Sequence, residues 1–167
     1  MGAVSLGTSG TVFTLTGEQT HDSSGVVAGF ADATGEFLPL VCTLNGARNL
    51  VATATMLGLT LDPFSAAAMS APPGSDGLIF IPYLEGERTP PLPNARGQLV
   101  GLTLSNMTPA NIARATIEGV LWSLAYGCRR CGLRLARSAD HTHWGRGPVG
   151  CGPSDRSGGL RATDRCY

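Results

Sequence analysis

Aliphatic residues thin out sharply after Tyr126, and that break limits how much of this chain can fold. From Gly127 to Tyr167 the sequence is dominated by Gly, Arg, Cys, Ser and Pro. Neither a two-residue nor a 3.6-residue apolar period survives there. Such a segment cannot bury enough apolar surface to offset its ordering entropy. The packed part is therefore expected within residues 1–127, enough for one domain with a real core. Residues 128–167 are expected to form a disordered tail.

Charge and hydropathy narrow the class further. All basic residues are Arg, and the net charge is zero. Nothing in that balance favours nucleic acid or an anionic membrane as partner. No apolar run approaches the ~20 residues that span a bilayer. The N-terminus lacks the basic-then-apolar pattern of a secretory signal, so a cytoplasmic protein is expected.

Within residues 1–127 the spacing of apolar residues predicts a mixed α/β fold. Val4 to Leu6 and Thr11 to Thr16 read as two short strands around a tight turn, Gly7-Thr8-Ser9-Gly10. Val26 to Phe30 and Glu36 to Val41 form a second strand pair, turning at Thr34-Gly35. Asn45 to Leu57 has helical spacing, with Gly58 as its stop. Pro63 to Met69 reads as a short helix with Asp62 as N-cap and Pro63 in the first position. Leu78 to Ile81 is continuously apolar, as in a strand buried on both faces. A Pro-, Glu- and Arg-rich loop follows from Tyr83 to Arg96, then a strand from Leu99 to Leu104. Thr108 caps a final helix with Pro109 at its start. Its face of Ile112, Ala115, Thr116, Gly119, Val120 and Ser123 is small enough for close packing.

Chemistry is most visible at Ser5 to Thr11. Glycines let a strand turn sharply and let backbone N–H groups approach an anion, and the Thr8 and Ser9 hydroxyls add donors for phosphate oxygens. On spacing alone Gly-Thr-Ser-Gly reads rather as an ordinary hairpin turn. Glu87 and Arg88, adjacent on a Pro-rich loop, read as a solvated or loop-fixing pair. Glu118 reads as an exposed or helix-pairing carboxylate and Cys42 as a small buried hydrophobe. His21 and Asp22 lie in a polar loop to which no role is assigned. No residue is assigned a catalytic role.

Five stretches, in order, carry a family resemblance. Ser5 to Thr11 resembles the phosphate-binding hairpin that opens the second domain of FGGY-family carbohydrate kinases. Gly29-Phe30 to Asn45 resembles the strands that follow, with Cys42-Thr43-Leu44-Asn45 opening a helix. Pro82-Tyr83-Leu84-Glu85-Gly86-Glu87-Arg88-Thr89-Pro90 resembles a loop typical of xylulokinases. Gly97 to Leu102, then Asn111-Ile112 with Ala115 to Glu118, resembles the family's second diagnostic pattern.

The resemblance covers roughly residues 2 to 127. It implies an incomplete actin-like ATPase (ribonuclease H-like) C-terminal domain of a sugar kinase. In the parent enzyme it implies ATP and Mg as cofactors, a pentulose such as D-xylulose as substrate, and a homodimer as one possible assembly. Gly7, Thr8, Ser9, Gly10 and Asn45 are then the expected nucleotide-binding residues. The family's catalytic Asp lies shortly before the hairpin. None of Asp22, Asp32, Asp62 or Asp76 matches it, so the chain as written is expected to be inactive.

Two readings compete for the tail. Cys128-x-x-Cys131, His141-x-His143 and Cys151 supply zinc-ligand types, which would make the chain a non-catalytic α/β binding module with a metal-binding tail. Alternatively the tail is out of frame. Read one base forward, codons for Asp140 to Gly145 permit Ile-Thr-Leu-Ile-Gly, and those for Arg146 to Asp155 permit Ala-Ala-Arg-Ser-Ala-Ala-Val-Arg-Arg-Ile. That run resembles the family's Gly-Gly-containing adenosine-binding turn. A shift just after Tyr126 would replace this turn with unselected residues, and ATP binding is then expected to be weak. We take the shifted frame as the expectation.

Overall fold

The computed structural model of the chain describes residues 2–132. Strands β1 (Gly2–Leu6) and β2 (Gly10–Thr14) form an antiparallel hairpin in which Leu6 faces Gly10 and Gly2 faces Thr14. Strands β3 (Ala28–Ala31) and β4 (Phe37–Thr43) pair likewise, and β2 lies against β4. The sheet order is β1-β2-β4-β3. The β3–β4 turn falls where Thr34-Gly35 predicts it. Asp32 Oδ1 accepts the N–H groups of Thr34 and Glu36, and Gly35 takes φ +90°.

Helix α1 (Ala47–Met56) ends as expected, with Gly58 at φ +69° just beyond it. Helix α2 (Leu61–Ser70) starts earlier than its sequence signals suggest. Thr60, not Asp62, is the N-cap residue, and Pro63 sits third in the helix. The first-turn N–H groups have no intrahelical partner, so Pro63 sacrifices no bond there.

Strand β5 (Ile79–Ile81) departs from expectation more clearly. Among the described residues it pairs only with β6 (Gln98–Val100), and Ile79 is 58% exposed while Phe80 is 9% exposed. Its continuous apolar run thus buries one face. Phe80, Leu78 and Leu99 pack with Ala115 and Ile112 of helix α3 (Pro109–Arg130).

Helix α3 organises the domain. Thr108 caps it by accepting the Asn111 N–H at 3.2 Å, with Pro109 following. Its small residues permit the close packing the sequence implies. A Cβ on Gly119 would collide with the Phe80 carbonyl, and one on Gly127 would touch Val41 Cγ1 at 3.1 Å. One face of α3 meets α1 and α2 around Phe64, Ala68, Ala54 and Ala113. Toward its C-terminus Leu124 and Cys128 pack on Val12 of the sheet. The helix therefore runs through Arg130, past the composition break at Tyr126, because Gly127 and Cys128 are small enough to lie on the strands. The readings placed on residues 133–167 fall outside the described residues.

Candidate functional site

The Gly-Thr-Ser-Gly run forms the connection of the β1–β2 hairpin, with Gly7, Thr8 and Ser9 as a three-residue loop and Gly10 opening β2. Three neighbours fix it. The Gly7 carbonyl accepts the Ala47 N–H at 2.8 Å, at the start of α1. Thr43, at the end of β4, hydrogen-bonds through its hydroxyl with both the N–H (3.2 Å) and the carbonyl (3.3 Å) of Gly10. Leu124 of α3 covers Gly10, where a Cβ would stand 2.5 Å from Leu124 Cδ2 and 2.7 Å from Thr43 Oγ1.

The contact with α1 depends on Gly46. A Cβ there would lie 2.6 Å from the Gly7 oxygen and 2.7 Å from the Ser9 carbonyl carbon. No side chain other than hydrogen lets the helix start reach the hairpin this closely. Gly46 is the N-cap of α1, so the helix has no side-chain cap, and no acidic residue occupies its first turn. The helix start beside Thr8 is therefore met by the Gly7 carbonyl on Ala47 N–H and by no side chain.

Of the hairpin donors, two are already committed. Gly7 N–H donates to the Ser9 carbonyl at 2.9 Å and Gly10 N–H to Thr43 Oγ1. Gly7 and Gly10 thus shape the loop. Thr8 is exposed, Ser9 is half-buried, and among the described residues neither hydroxyl has a hydrogen-bond partner.

Thr8 borders a groove of about 510 Å³ whose other walls are Ala47, Arg48, Asn49, Val51 and Ala52 of α1 and Leu84 and Glu85 of the following loop. Arg48 Nη2 and Glu85 Oε2 stand 2.6 Å apart across it. Asn49, 1% exposed, donates to the Pro82 carbonyl at 2.5 Å, and its Oδ1 has no partner among the described residues. The sequence reading missed Thr43, Gly46, Arg48 and Glu85. Only Gly46 carried a signal, as a glycine where a cap residue is usual.

Asn45 is placed differently from the groove residues. It is 2% exposed, and its amide donates to the Gly86 carbonyl (2.6 Å) and Glu87 Oε2 (2.9 Å). Glu87 is 1% exposed and accepts three further N–H groups on Oε1, from Leu44 (2.7 Å), Arg88 (2.7 Å) and Thr89 (3.2 Å). Glu87 is therefore a loop-fixing residue, as one of the two readings had it. It ties the 82–92 loop to the β4–α1 junction. Burial first, and then the same carboxylate, push the Tyr83 phenol above its ordinary value.

The remaining residues singled out in the sequence have structural roles. Glu118 pairs with Arg114 at 2.6 Å and accepts the Gly74 N–H. Cys42 is only half-buried, its thiol near the Thr43 carbonyl. Asp22 organises residues 22–27 by accepting Ser24 Oγ and the N–H groups of Ser24 and Val27. Cys128 and Cys131 are 2% and 7% exposed and face Val12, Val27, Val41 and Leu124. Burial raises both thiols, Cys131 to about 11. That disfavours the thiolate a zinc site requires. Among the described residues no group of three or more His, Cys, Asp or Glu could hold a metal ion, and the zinc reading finds no support. His141, His143 and Cys151 lie outside the described residues.

A family profile for the C-terminal domain of the FGGY family of carbohydrate kinases matches residues 2–141. The chain belongs to the FGGY family of carbohydrate kinases. Among curated FGGY relatives it is 42% identical over 121 residues to a xylulose kinase of Streptomyces rubiginosus, covering 72% of this chain and 23% of that one. The crystal structure of xylulose kinase from Bifidobacterium adolescentis superposes with a TM-score of 0.72 at 43% identity, over 80% of this chain and 27% of that one. That of gluconate kinase from Lactobacillus acidophilus does so with a TM-score of 0.69 at 34% identity, over 76% and 26%. The FGGY chain thus spans about a quarter of the length of the relatives it matches. Its fold is α/β, part of the actin-like ATPase fold of these sugar kinases.

Proposed function

We propose that residues 2–132 form the nucleotide-phosphate side of an ATP-dependent carbohydrate kinase, with D-xylulose as the sugar of the parent enzyme. The observation that carries this reading is the Gly7 carbonyl held 2.8 Å from Ala47 N–H, with Gly46 admitting no side chain between them. This contact sets two uncommitted hydroxyls, Thr8 and Ser9, beside a helix start that has no side-chain cap. Both features suit a phosphate oxygen. Gly7 and Gly10 define the loop, and Asn45 acts through Glu87 by fixing the junction that starts α1. The apolar groove wall formed by Val51, Ala52 and Leu84 suits the nucleoside part. Family membership supports ATP, and Mg is expected to accompany the phosphates. ATP supplies the phosphoryl group, while these residues bind and orient its anionic end.

The xylulose assignment rests on the names of the similar kinases and on the Glu85-Gly86-Glu87-Arg88-Thr89-Pro90 stretch. A cytoplasmic setting and a dimeric parent enzyme fit that reading. The expectation that no transfer occurs rests on the family's catalytic Asp having no match at Asp22, Asp32, Asp62 or Asp76. Glu87 is buried among N–H donors, so it is not placed to take a proton from a sugar hydroxyl. The chain is therefore expected to bind ATP without xylulose-dependent turnover. A titration with MgATP into the millimolar range, together with an assay of ADP formation with and without D-xylulose, tests both halves. Xylulose-dependent ADP formation above background would show that a competent base is present after all. No saturable response to MgATP would remove the phosphate-site reading.

A further inference from the structure

Arg48 and Glu85 are the charged residues of the groove wall, and they face each other at 2.6 Å with side chains 44% and 63% exposed. An ion pair this open contributes little to stability, so it is easily exchanged for another partner. Arg48 lies in the first turn of α1, beside the helix start and the Thr8 loop. Its fork of N–H donors matches phosphate oxygens as well as it matches a carboxylate. Glu85, by contrast, places a negative charge on the wall of a groove proposed to take an anion. Each charge alone would work against the other's environment.

We propose that Arg48 is a phosphate-binding residue held in reserve by Glu85: the nucleotide phosphate displaces Glu85 from Arg48 on binding. This rests on the phosphate-site reading above and goes beyond it by assigning opposite effects to the two residues. Glu85 is a built-in competitor of the ligand. Removing its charge frees Arg48 and lifts like-charge repulsion, whereas removing Arg48 takes away the attraction and leaves the repulsion.

The test uses the full chain and its Arg48→Ala, Glu85→Gln and doubly substituted forms. Each is titrated with MgATP and, separately, with adenosine, following backbone amide resonances. The two positions are exposed, and unchanged spectra away from the groove confirm that each variant folds. Arg48→Ala is expected to weaken MgATP binding roughly tenfold, the effect of one charge-assisted contact. Glu85→Gln is expected to strengthen it by roughly two- to fivefold, and less so as salt is raised. Adenosine, which has no phosphate, should not distinguish the variants. If both single substitutions weaken MgATP binding, Glu85 serves only to position Arg48 and the competition proposal is overturned. If neither changes it while the wild type responds to MgATP, Arg48 does not reach phosphate and the proposal again fails, with the phosphate-site reading intact. If no form responds to MgATP, both fall together.

Discussion

The side-chain amide of Asn45 donates to Glu87 Oε2 at 2.9 Å, and neither residue is more than 2% exposed. With three backbone N–H groups on Oε1, the carboxylate satisfies four donors from two distant segments. Glu87→Ala leaves the three backbone N–H groups without this acceptor and leaves the Asn45 amide only its bond to the Gly86 carbonyl. Each unsatisfied buried donor costs about 1–3 kcal/mol before relaxation, so a total loss of about 3 kcal/mol or more is expected. Glu87→Gln keeps Oε1 for the backbone donors but sets one NH₂ against another at Asn45, and about 1–2 kcal/mol should be lost. Urea unfolding compares the two. Equal losses would mean that the acceptor geometry at Oε1 is not what holds the loop.

Gly46 and Gly7 should behave oppositely although both flank the same contact. A Cβ on Gly46 meets backbone atoms at 2.6 to 2.9 Å, which can be relieved only by moving hairpin and helix apart. Gly46→Ala is expected to cost about 1–3 kcal/mol and to perturb the amide resonances of Thr8 and Ser9. A Cβ on Gly7 meets only Ser9 O, at 3.7 Å, so Gly7→Ala should stay within about 0.5 kcal/mol of wild type. Thermal melts of the two variants separate these outcomes. A Gly46→Ala protein as stable as Gly7→Ala would contradict the close approach.

Asp22 gives the 22–27 segment an acid limit. The Ser24 hydroxyl first, then the Val27 and Ser24 N–H groups, hold its carboxyl down from 3.8 to about 2, with Arg130 at 3.9 Å assisting. A carboxyl depressed in the folded state contributes stability above its unfolded value and loses it as pH falls through its folded value. Amide exchange of Ser24 and Val27 should therefore accelerate as pH drops from about 4 to about 2, after correction for the intrinsic rate. In Asp22→Asn that pH step should vanish. A step that persists in the variant would assign it elsewhere.

Cys128 and Cys131 should be slow to react. Their burial and raised values predict that a thiol reagent at neutral pH modifies half-buried Cys42 well before either of them, as read by peptide mapping. Zinc should not change the order. Equal labelling of Cys42, Cys128 and Cys131 in the folded chain, or protection of the pair by zinc, would revive the metal reading.

Local signals were legible in the sequence where chemistry and geometry coincide. The hairpin at Gly7 to Gly10, the Thr108–Pro109 cap and the Gly58 stop follow from residue preferences acting within a few positions. Longer-range facts were not. Nothing local shows that Ile79 is exposed, because that follows from β5 having, among the described residues, a single strand partner and one covered face. Nor does spacing show Arg48 reaching Glu85, or Asn45 turning toward Glu87, since both pairings are made by the return of the 82–92 loop. Nor does spacing show where α3 ends, for a related reason. Periodicity counts large apolar residues, whereas Gly127 and Cys128 pack there because they are small.

The most direct test of the phosphate site is a map of amide resonance changes on adding MgATP to the full chain. The account predicts saturable shifts at Thr8, Ser9 and Arg48, smaller ones at Gly10, and none of these on adding adenosine alone. Shifts that appear equally with adenosine, or that cluster away from the β1–β2 hairpin and the start of α1, would contradict it.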